Sequence, residues 1–162
     1  MWLPNRRAFL LSALALGGCG FTPVYAPQSE ARALLGTIDV DPPRDREGYL
    51  LVRHIEERMG RSANPTYALA ISIELTDERM AITADNVATR FNLVGKATYA
   101  LRAVEGGKVV NSGTVQSFVG YSTTGSTAAT QTAEKNATER LMVILGDKIV
   151  QRLAVAQLEP AA

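Results

Sequence analysis

The residue with the clearest chemistry is Cys19, the only cysteine of the 162-residue chain. It follows a basic head that contains Arg6 and Arg7 and a short apolar run over residues 8–18. That run is about half of the roughly 20 residues that cross a bilayer, so the layout is typical of a secretory signal peptide. The tetrapeptide LGGC that ends at Cys19 resembles a lipobox, where cleavage precedes the cysteine and the thiol is diacylated. We predict that residues 1–18 are a lipoprotein signal peptide and that Cys19 is the lipidation site.

Two neighbouring features bear on the destination of the protein. The arginine pair followed by Ala-Phe-Leu also matches the core of a twin-arginine export signal, so the general and twin-arginine routes both stay open. Gly20 stands where an inner-membrane retention signal has aspartate. Several acyl chains on one residue anchor far more firmly than one chain. We therefore expect a lipid-anchored protein on the periplasmic side of the outer membrane.

The other chemistry-bearing residues argue against several functional classes. One cysteine, committed to lipid, leaves no internal disulfide and no cysteine-rich metal site. His54 is the single histidine, within a helical pattern, and no G-x-S-x-G motif accompanies it. The net charge of +1 gives no general attraction to nucleic acid. We predict a non-enzyme without cofactor, metal or nucleic-acid partner, in which His54 lies on a helix surface.

The chain that follows the signal divides into three parts. Residues 19–33 contain two prolines that exclude helix, and we predict a lipidated tether there. Residues 34–156 form a single α+β domain, and residues 157–162 are a C-terminal tail. Within the domain, Ile38 and Val40 alternate with polar neighbours as in a first strand.

The rest of the domain shows two periodicities. A first helix over the segment DREGYLLVRHIEERMG is capped by Asp45 and ended by Gly60. Three strands follow, in TYALAISIELT, RFNLVGKATYALRAV and VVNSGTVQSFVGYS. A long last helix has an apolar stripe from Ala133 to Leu153, with Gly146 as a weak point. The predicted order is β-α-β-β-β-α, with two helices packed on one face of a four-stranded sheet.

Four stretches in the same order resemble the LPS-assembly lipoprotein LptE family in its alphaproteobacterial form. They are GCGFTPVY, GYLLVRHIEERMG, TRFNLVGKATYAL and AEKNATERLMVILGDKIVQRL, and the resemblance covers residues 19 to about 155. No single stretch is highly specific; their order and spacing carry the resemblance. It implies two helices on a four-stranded sheet. It also implies a plug inside the outer-membrane barrel LptD that helps the barrel fold and contacts lipopolysaccharide.

The resemblance also directs attention to two groups of surface residues. Because barrel interiors are polar, a loop of small hydroxyl residues is the candidate barrel contact: Ser122, Thr123, Thr124, Gly125, Ser126 and Thr127. Lipopolysaccharide carries phosphates, for which lysine and arginine are natural partners. Arg90, Lys96 and Arg102 are even-numbered steps apart on one strand and are the candidate lipopolysaccharide contact. Both groups are also compatible with an ordinary solvated surface.

Two other functions stay open at this stage. One is an auxiliary lipoprotein of an envelope lipid-transport ABC system, which is also small, lipidated and α+β. The other is a lipid-anchored enzyme that acts on cell wall or envelope lipid, for which His54 is the only candidate base of the histidine type. The absence of any nucleophile–base pair disfavours the enzyme.

Overall fold

The computed structural model describes Arg32 and residues 34–82 and 88–156. Cys19, nearly all of the tether and the tail lie outside the described residues. The elements in chain order are β1 (Ile38–Val40), α1 (Arg46–Met59), β2 (Tyr67–Ile82), β3 (Ala88–Ala103), β4 (Val109–Ser122) and α2 (Thr127–Ala154). The predicted order β-α-β-β-β-α and the α+β class are confirmed.

The four strands form one mixed sheet in the order β1-β2-β3-β4. β1 and β2 are parallel, because α1 carries the chain back to the starting end of the sheet. The other two pairings are antiparallel. β1 is only three residues long. Pro42 and Pro43 follow closely, and since proline has no amide hydrogen to donate, the ladder cannot continue through them.

Both helices begin at side-chain caps. The Asp45 carboxylate accepts the Gly48 amide at 2.6 Å, as the sequence predicts for the first helix. Gly60 ends α1 with a φ of 81°, a positive value that favours glycine, although its ψ of 154° lies outside the left-handed helical region. The Ser126 hydroxyl accepts the Ala129 amide at 3.3 Å and caps α2. Each helix start is therefore encoded by a short polar side chain.

The core lies between the two helices and one face of the sheet, as predicted. The sheet contributes alternate residues of the three long strands, among them Leu69, Leu93, Ala97, Tyr99, Leu101, Val115 and Val119. The helices contribute Leu51, Ile55, Met59, Leu141, Met142, Leu145, Ile149 and Leu153. Most of these side chains are completely buried, so the hydrophobic effect at about 25 cal/mol per Å² is the main source of stability.

The two helices approach each other closely at Gly146. A Cβ added there would lie 2.8 Å from Cδ2 of His54, so any side chain would press on the histidine ring. His54 Nε2 lies 2.9 Å from Oδ1 of Asp147, which also contacts Arg58 at 3.3 Å. His54 is thus half-buried between the helices rather than on a free helix surface, and Gly146 is a packing site rather than a weak point.

The hairpin of β2 and β3 is longer than the sequence pattern indicates. Alternation predicts that β2 ends at Thr76, but the strand continues to Ile82. Past Ile73 the helix-facing side of the strand is less well covered, and Leu75 on that side is 36% exposed. Pairing with β3 continues along this part of the strand nonetheless, with a register irregularity after Arg79. We call residues 75–82 and 88–92 the distal ribbon.

Candidate partner surfaces on the open sheet face and the loop before the last helix

The sheet face opposite the helices, here called the open face, carries small and polar side chains in register. Ser72, Thr98 and Thr114 lie side by side across three strands, and the two threonine hydroxyl oxygens are 3.2 Å apart. The neighbouring row is formed by Ala70, Ala100 and Ser112. Because no long side chain rises from these rows, the centre of the open face is shallow and polar. Another surface can approach this backbone closely.

The structure places the three predicted cations on the open face but far from one another. Arg90, Lys96 and Arg102 are six residues apart along β3, which corresponds to about 20 Å per interval. Lys96 Nζ lies 3.2 Å from Oε2 of Glu74. Arg102 Nη2 donates to both carboxylate oxygens of Asp41, at 3.0 and 2.8 Å. The cations therefore act as separate sites, and an anion has to compete with a carboxylate at two of them.

Arg90 differs from the other two cations. It is exposed near the start of β3, opposite Ser122 of β4. It forms no ion pair within residues 34–82 and 88–156. An anion can therefore reach its guanidinium without displacing a described carboxylate. Of the three predicted residues, Arg90 is the most available for a phosphate.

An apolar patch on the open face lies between Arg90 and Lys96. Phe118, 63% exposed, is in register with Val94, and both line a shallow cavity of about 490 Å³ together with Met80 and Lys148. The sequence pattern held one signal for this patch, because Phe118 interrupts the alternation of β4 by placing an aromatic residue on the polar side. The patch joins apolar surface to flanking cations.

The predicted hydroxyl loop is shorter than the six residues suggest. Ser122 is the last residue of β4, Ser126 is the α2 cap, and Thr127 is the first residue of α2. Between them, the Ser122 hydroxyl donates to the Thr89 carbonyl at 3.1 Å and lies 2.9 Å from the Thr124 hydroxyl. Two of the hydroxyls thus hold the loop in place. Gly125 and Thr127 are exposed and available to a partner, and Thr124 is also exposed although its hydroxyl contacts Ser122.

Tyr121 fixes the position of the distal ribbon beside the loop. Its ring stacks on Phe91, with centroids 5.5 Å apart, and its hydroxyl donates to Oδ1 of Asp77 at 3.0 Å. Burial, and then the hydrogen bond to Asp77, raise the pKa of Tyr121 to about 12. The phenol therefore remains protonated and continues to donate to Asp77 throughout the neutral pH range.

The described part of the chain contains neither a metal-binding cluster nor a membrane-spanning helix. Across residues 34–82 and 88–156, no three His, Cys, Asp or Glu side chains are grouped so as to hold a metal ion. Neither of the two described helices is long and apolar enough to span a membrane. What the described residues present is a set of contact surfaces around a packed core.

This arrangement defines a small α+β domain of a kind found in solved bacterial lipoproteins. A candidate lipoprotein from Caulobacter crescentus CB15 is 25% identical, covers 78% of this chain and 93% of its own, and superposes with a TM-score of 0.63. Rare lipoprotein B from Shewanella oneidensis shares the fold at 12% identity, with 73% and 92% coverage and a TM-score of 0.55. A minor lipoprotein from Acinetobacter baumannii has 12% identity, 75% and 92% coverage and a TM-score of 0.54.

The family assignment is more specific than the fold. The model of the LptE family, described as lipopolysaccharide-assembly, matches residues 35–153, which is most of the chain. The chain therefore belongs to the LptE family, as the four sequence stretches predict, and has a role in lipopolysaccharide assembly. No curated protein sequence matches it.

Proposed function

We propose that this protein is an outer-membrane lipoprotein that plugs the LptD barrel, helps it fold and assists lipopolysaccharide assembly at the cell surface. The observation that carries the proposal is the LptE family match over residues 35–153. The proposal includes an anchor through lipid on Cys19, on the periplasmic side, after removal of residues 1–18. The proposal also includes a tether over residues 19–33, the domain over residues 34–156 and a tail over residues 157–162.

The chemistry of the open face supports contact with a barrel interior. Barrel lumens are polar, so a plug must present hydroxyls, amides and charges rather than apolar area. Ser72, Thr98 and Thr114 give the open face that character, and their small size permits close approach. The exposed part of the loop, Thr124 and Gly125, lies at the end of the same sheet. The proposed barrel contact thus joins the loop to the open face.

The chemistry around Val94 supports contact with lipopolysaccharide, which combines phosphates with acyl chains. Arg90, Lys96 and Arg102 are the proposed phosphate contacts, as charge-assisted hydrogen bonds to phosphate are strong. Phe118 and Val94 give acyl carbon an apolar surface between the first two of these cations. One amphiphile can therefore contact both kinds of group at this end of the open face.

The barrel contact is tested by enlarging the loop, and thermal unfolding checks that loss of the Ser122–Thr124 hydroxyl contact leaves the fold intact. Thr124→Tyr places a bulky ring at an exposed loop position. Thr66→Tyr makes the same change at an exposed position just before β2, at the end of the sheet away from the loop. We expect Thr124→Tyr to lower the yield of folded barrel that co-purifies from outer membranes, while Thr66→Tyr leaves it unchanged. Equal yields for both variants contradict the loop contact. Recovery of inner-membrane permease components in place of a barrel identifies the ABC-system alternative.

The lipopolysaccharide contact is tested by combining Arg90→Ala, Lys96→Ala and Arg102→Ala. The matched control combines Arg53→Ala and Lys135→Ala on the helices with Arg61→Ala just after α1, which removes the same charge and also breaks two ion pairs. We expect the first variant alone to lose binding of purified mature protein to lipopolysaccharide. The loss should be larger at low ionic strength, where phosphate contacts are less screened. Equal binding by both variants at two salt concentrations shows that the cations are a solvated face.

The anchor is tested by Cys19→Ser under metabolic labelling with a fatty-acid analogue. We expect the label to disappear from the variant, since an oxygen nucleophile does not replace the lipidated thiol. Retention of the label contradicts Cys19 as the lipidation site. Part of the function should survive, because a barrel that encloses the domain provides a second attachment.

A further inference from the structure

The β4 edge of the sheet and the β2 edge differ in whether side chains cover their outward-facing backbone groups. Along β4, the outward carbonyl of Gln116 accepts the Lys148 ammonium at 2.6 Å, and that of Gly120 accepts the Arg140 guanidinium at 3.3 Å. Both donors come from α2, so the helix caps this edge with its side chains. Capped carbonyls are poor partners for another strand.

Among residues 34–82 and 88–156, no comparable cap covers the β2 edge beyond Leu69. The β1 ladder ends there, where the Asp41 amide donates to the Leu69 carbonyl at 2.9 Å. Backbone groups alternate sides along a strand, so those of Ile71, Ile73 and Leu75 also point away from β3. No described strand lies beside them. The edge therefore offers a row of free donors and acceptors.

A groove continues the line of β1 along this edge. The chain turns away at Pro42 and Pro43, and a cavity of about 530 Å³ opens between this turn, the first turns of α1 and the β2 edge. Leu51 and Val52 line it on the helix side, and Ile71 and Ile73 line it on the strand side. A strand in this groove would place alternate side chains on these apolar residues and the others on the open face.

We propose that the β2 edge from Ile71 to Asp77 binds an extended segment of another polypeptide by strand addition. The incoming strand would lie beside β2 where β1 would be if it continued past Val40. Its apolar residues would face α1, and basic residues would alternate with them. Main-chain hydrogen bonds would supply affinity, and the groove would select side chains. This edge is separate from the loop, and it touches the cations of the proposed function only at Glu74, which lies 3.2 Å from Lys96.

Charge determines the kind of partner. Between Ile71 and Met80 the strand carries three acidic residues, Glu74, Asp77 and Glu78, and one basic residue, Arg79. Lys96 already pairs with Glu74, so the acidic residues without a described ion pair are Asp77 and Glu78. A second copy of this chain would bring the same excess of negative charge against itself, which is unfavourable for neighbouring strands. A basic strand meets opposite charges instead. The acidic residues thus disfavour self-pairing while leaving the edge open to a basic partner.

The test uses the full mature lipidated chain in detergent and a capped synthetic peptide in which valine and lysine alternate. Binding is detected by amide hydrogen exchange, resolved by NMR. We expect the peptide to slow exchange of the Ile71, Ile73 and Leu75 amides about tenfold or more, while the Phe118 amide on the β4 edge is unchanged. A peptide with glutamate in place of lysine should give no protection.

A pair of variants at one position separates the backbone from the side chain. Ile73→Pro removes an amide that takes no part in the β2–β3 ladder, whereas Ile73→Ala keeps that amide and loses the side chain. Peptide affinity should fall about tenfold or more in Ile73→Pro and clearly less in Ile73→Ala. Thermal unfolding checks that both variants fold. The exchange pattern of the parent protein decides the question even if the proline variant does not fold.

Several results would overturn the proposal. Protection confined to β4, equal binding of the acidic peptide, or equal loss in the two variants contradicts strand addition at this edge. If the three amides are already protected without peptide and lose protection on dilution, a second copy occupies the edge. Protection that is independent of both peptide and dilution shows that the chain's own remaining residues occupy it.

Discussion

The two ends of the β2–β3 ribbon are built from the same ladder of hydrogen bonds but in different surroundings. At the covered end, Leu69 and Leu101 are fully buried and Tyr99 is 4% exposed beneath the helices. In the distal ribbon, Leu75 on the same face is 36% exposed. The covered end is stabilised by apolar burial, and the distal ribbon by cross-strand pairs such as Phe91 with Tyr121.

This difference shows that strand pairing and stability are separable in one sheet. Cross-strand pairs contribute only about 0.2–1 kcal/mol each, whereas burial of one large apolar side chain contributes about 1.5–3 kcal/mol. The distal ribbon should therefore open locally at a lower free energy than the covered end. That places the most easily opened part of the sheet next to Arg90 and the Phe118 patch, where the proposed lipopolysaccharide contact lies.

The largest expected effect is at the helix that covers the ribbon. Leu141→Asp buries a charge where the side chain is fully enclosed, and we expect it to remove most or all of the stability. Val143→Asp, two residues along the same helix at a position that is 42% exposed, should cost about 1 kcal/mol or less. Thermal denaturation followed by circular dichroism measures both. Similar melting temperatures would show that α2 does not cover the sheet with the Leu141 face.

A smaller effect compares the two ends of β2 directly. Leu69→Ala at the covered end should cost about 2–5 kcal/mol, as for other enclosed leucines. Leu75→Ala on the same face of the same strand should cost about 1 kcal/mol or less, since a third of that side chain is already in water. Urea unfolding gives both free energies. Equal losses would mean that the two ends do not differ in burial as described.

A still smaller and local effect is expected at Tyr121. Tyr121→Phe keeps the stack on Phe91 and removes the hydrogen bond to Asp77, which should cost about 1 kcal/mol. We expect amide exchange to become faster in the distal ribbon and to stay unchanged around Leu69. Uniformly faster exchange throughout the sheet would show that the ribbon opens only with global unfolding.

Because the pKa of Tyr121 is raised, the difference in stability between the distal ribbon and the covered end should depend on pH. An ordinary tyrosine pKa is about 10, and the folded value is about 12, so the folded state holds this proton more tightly. The resulting stabilisation is complete below about pH 10 and is lost as the pH rises toward 12. In that window the distal ribbon of the parent protein should loosen more than that of Tyr121→Phe. Identical alkaline profiles would remove Tyr121 as the cause.

The sequence predicts those parts of the fold that depend on local pattern. The bounds of β4, the Asp45 cap and the Gly60 terminus follow from alternation and capping, and the structure confirms them. The end of β2 could not be predicted, since the polar stretch after Thr76 shows no alternation and becomes a strand only through its pairing with β3. Whether these residues form a strand therefore depends on the β3 segment that pairs with them as well as on their own sequence.

In the candidate surfaces too, local pattern predicts which face a residue lies on, but it does not predict contacts with residues distant in the sequence. Alternation places Lys96 and Arg102 on one face, but it cannot reveal that Glu74 and Asp41 partly neutralise them. The role of Ser126 as a cap was hidden among its hydroxyl neighbours in the loop. The half-buried position of His54 could not be predicted from its neighbours, because its partner Asp147 is 93 residues further along the chain.

That separation has a consequence for the order in which the domain can fold. Arg46 with Glu139 and His54 with Asp147 both join residues 93 positions apart, and Leu51 and Ile55 pack around Gly146. Non-local contacts of this kind require closure of a long loop before any energy is gained, which slows folding. A chain that emerges amino terminus first therefore leaves the α2-facing side of α1 uncovered until its last helix has followed.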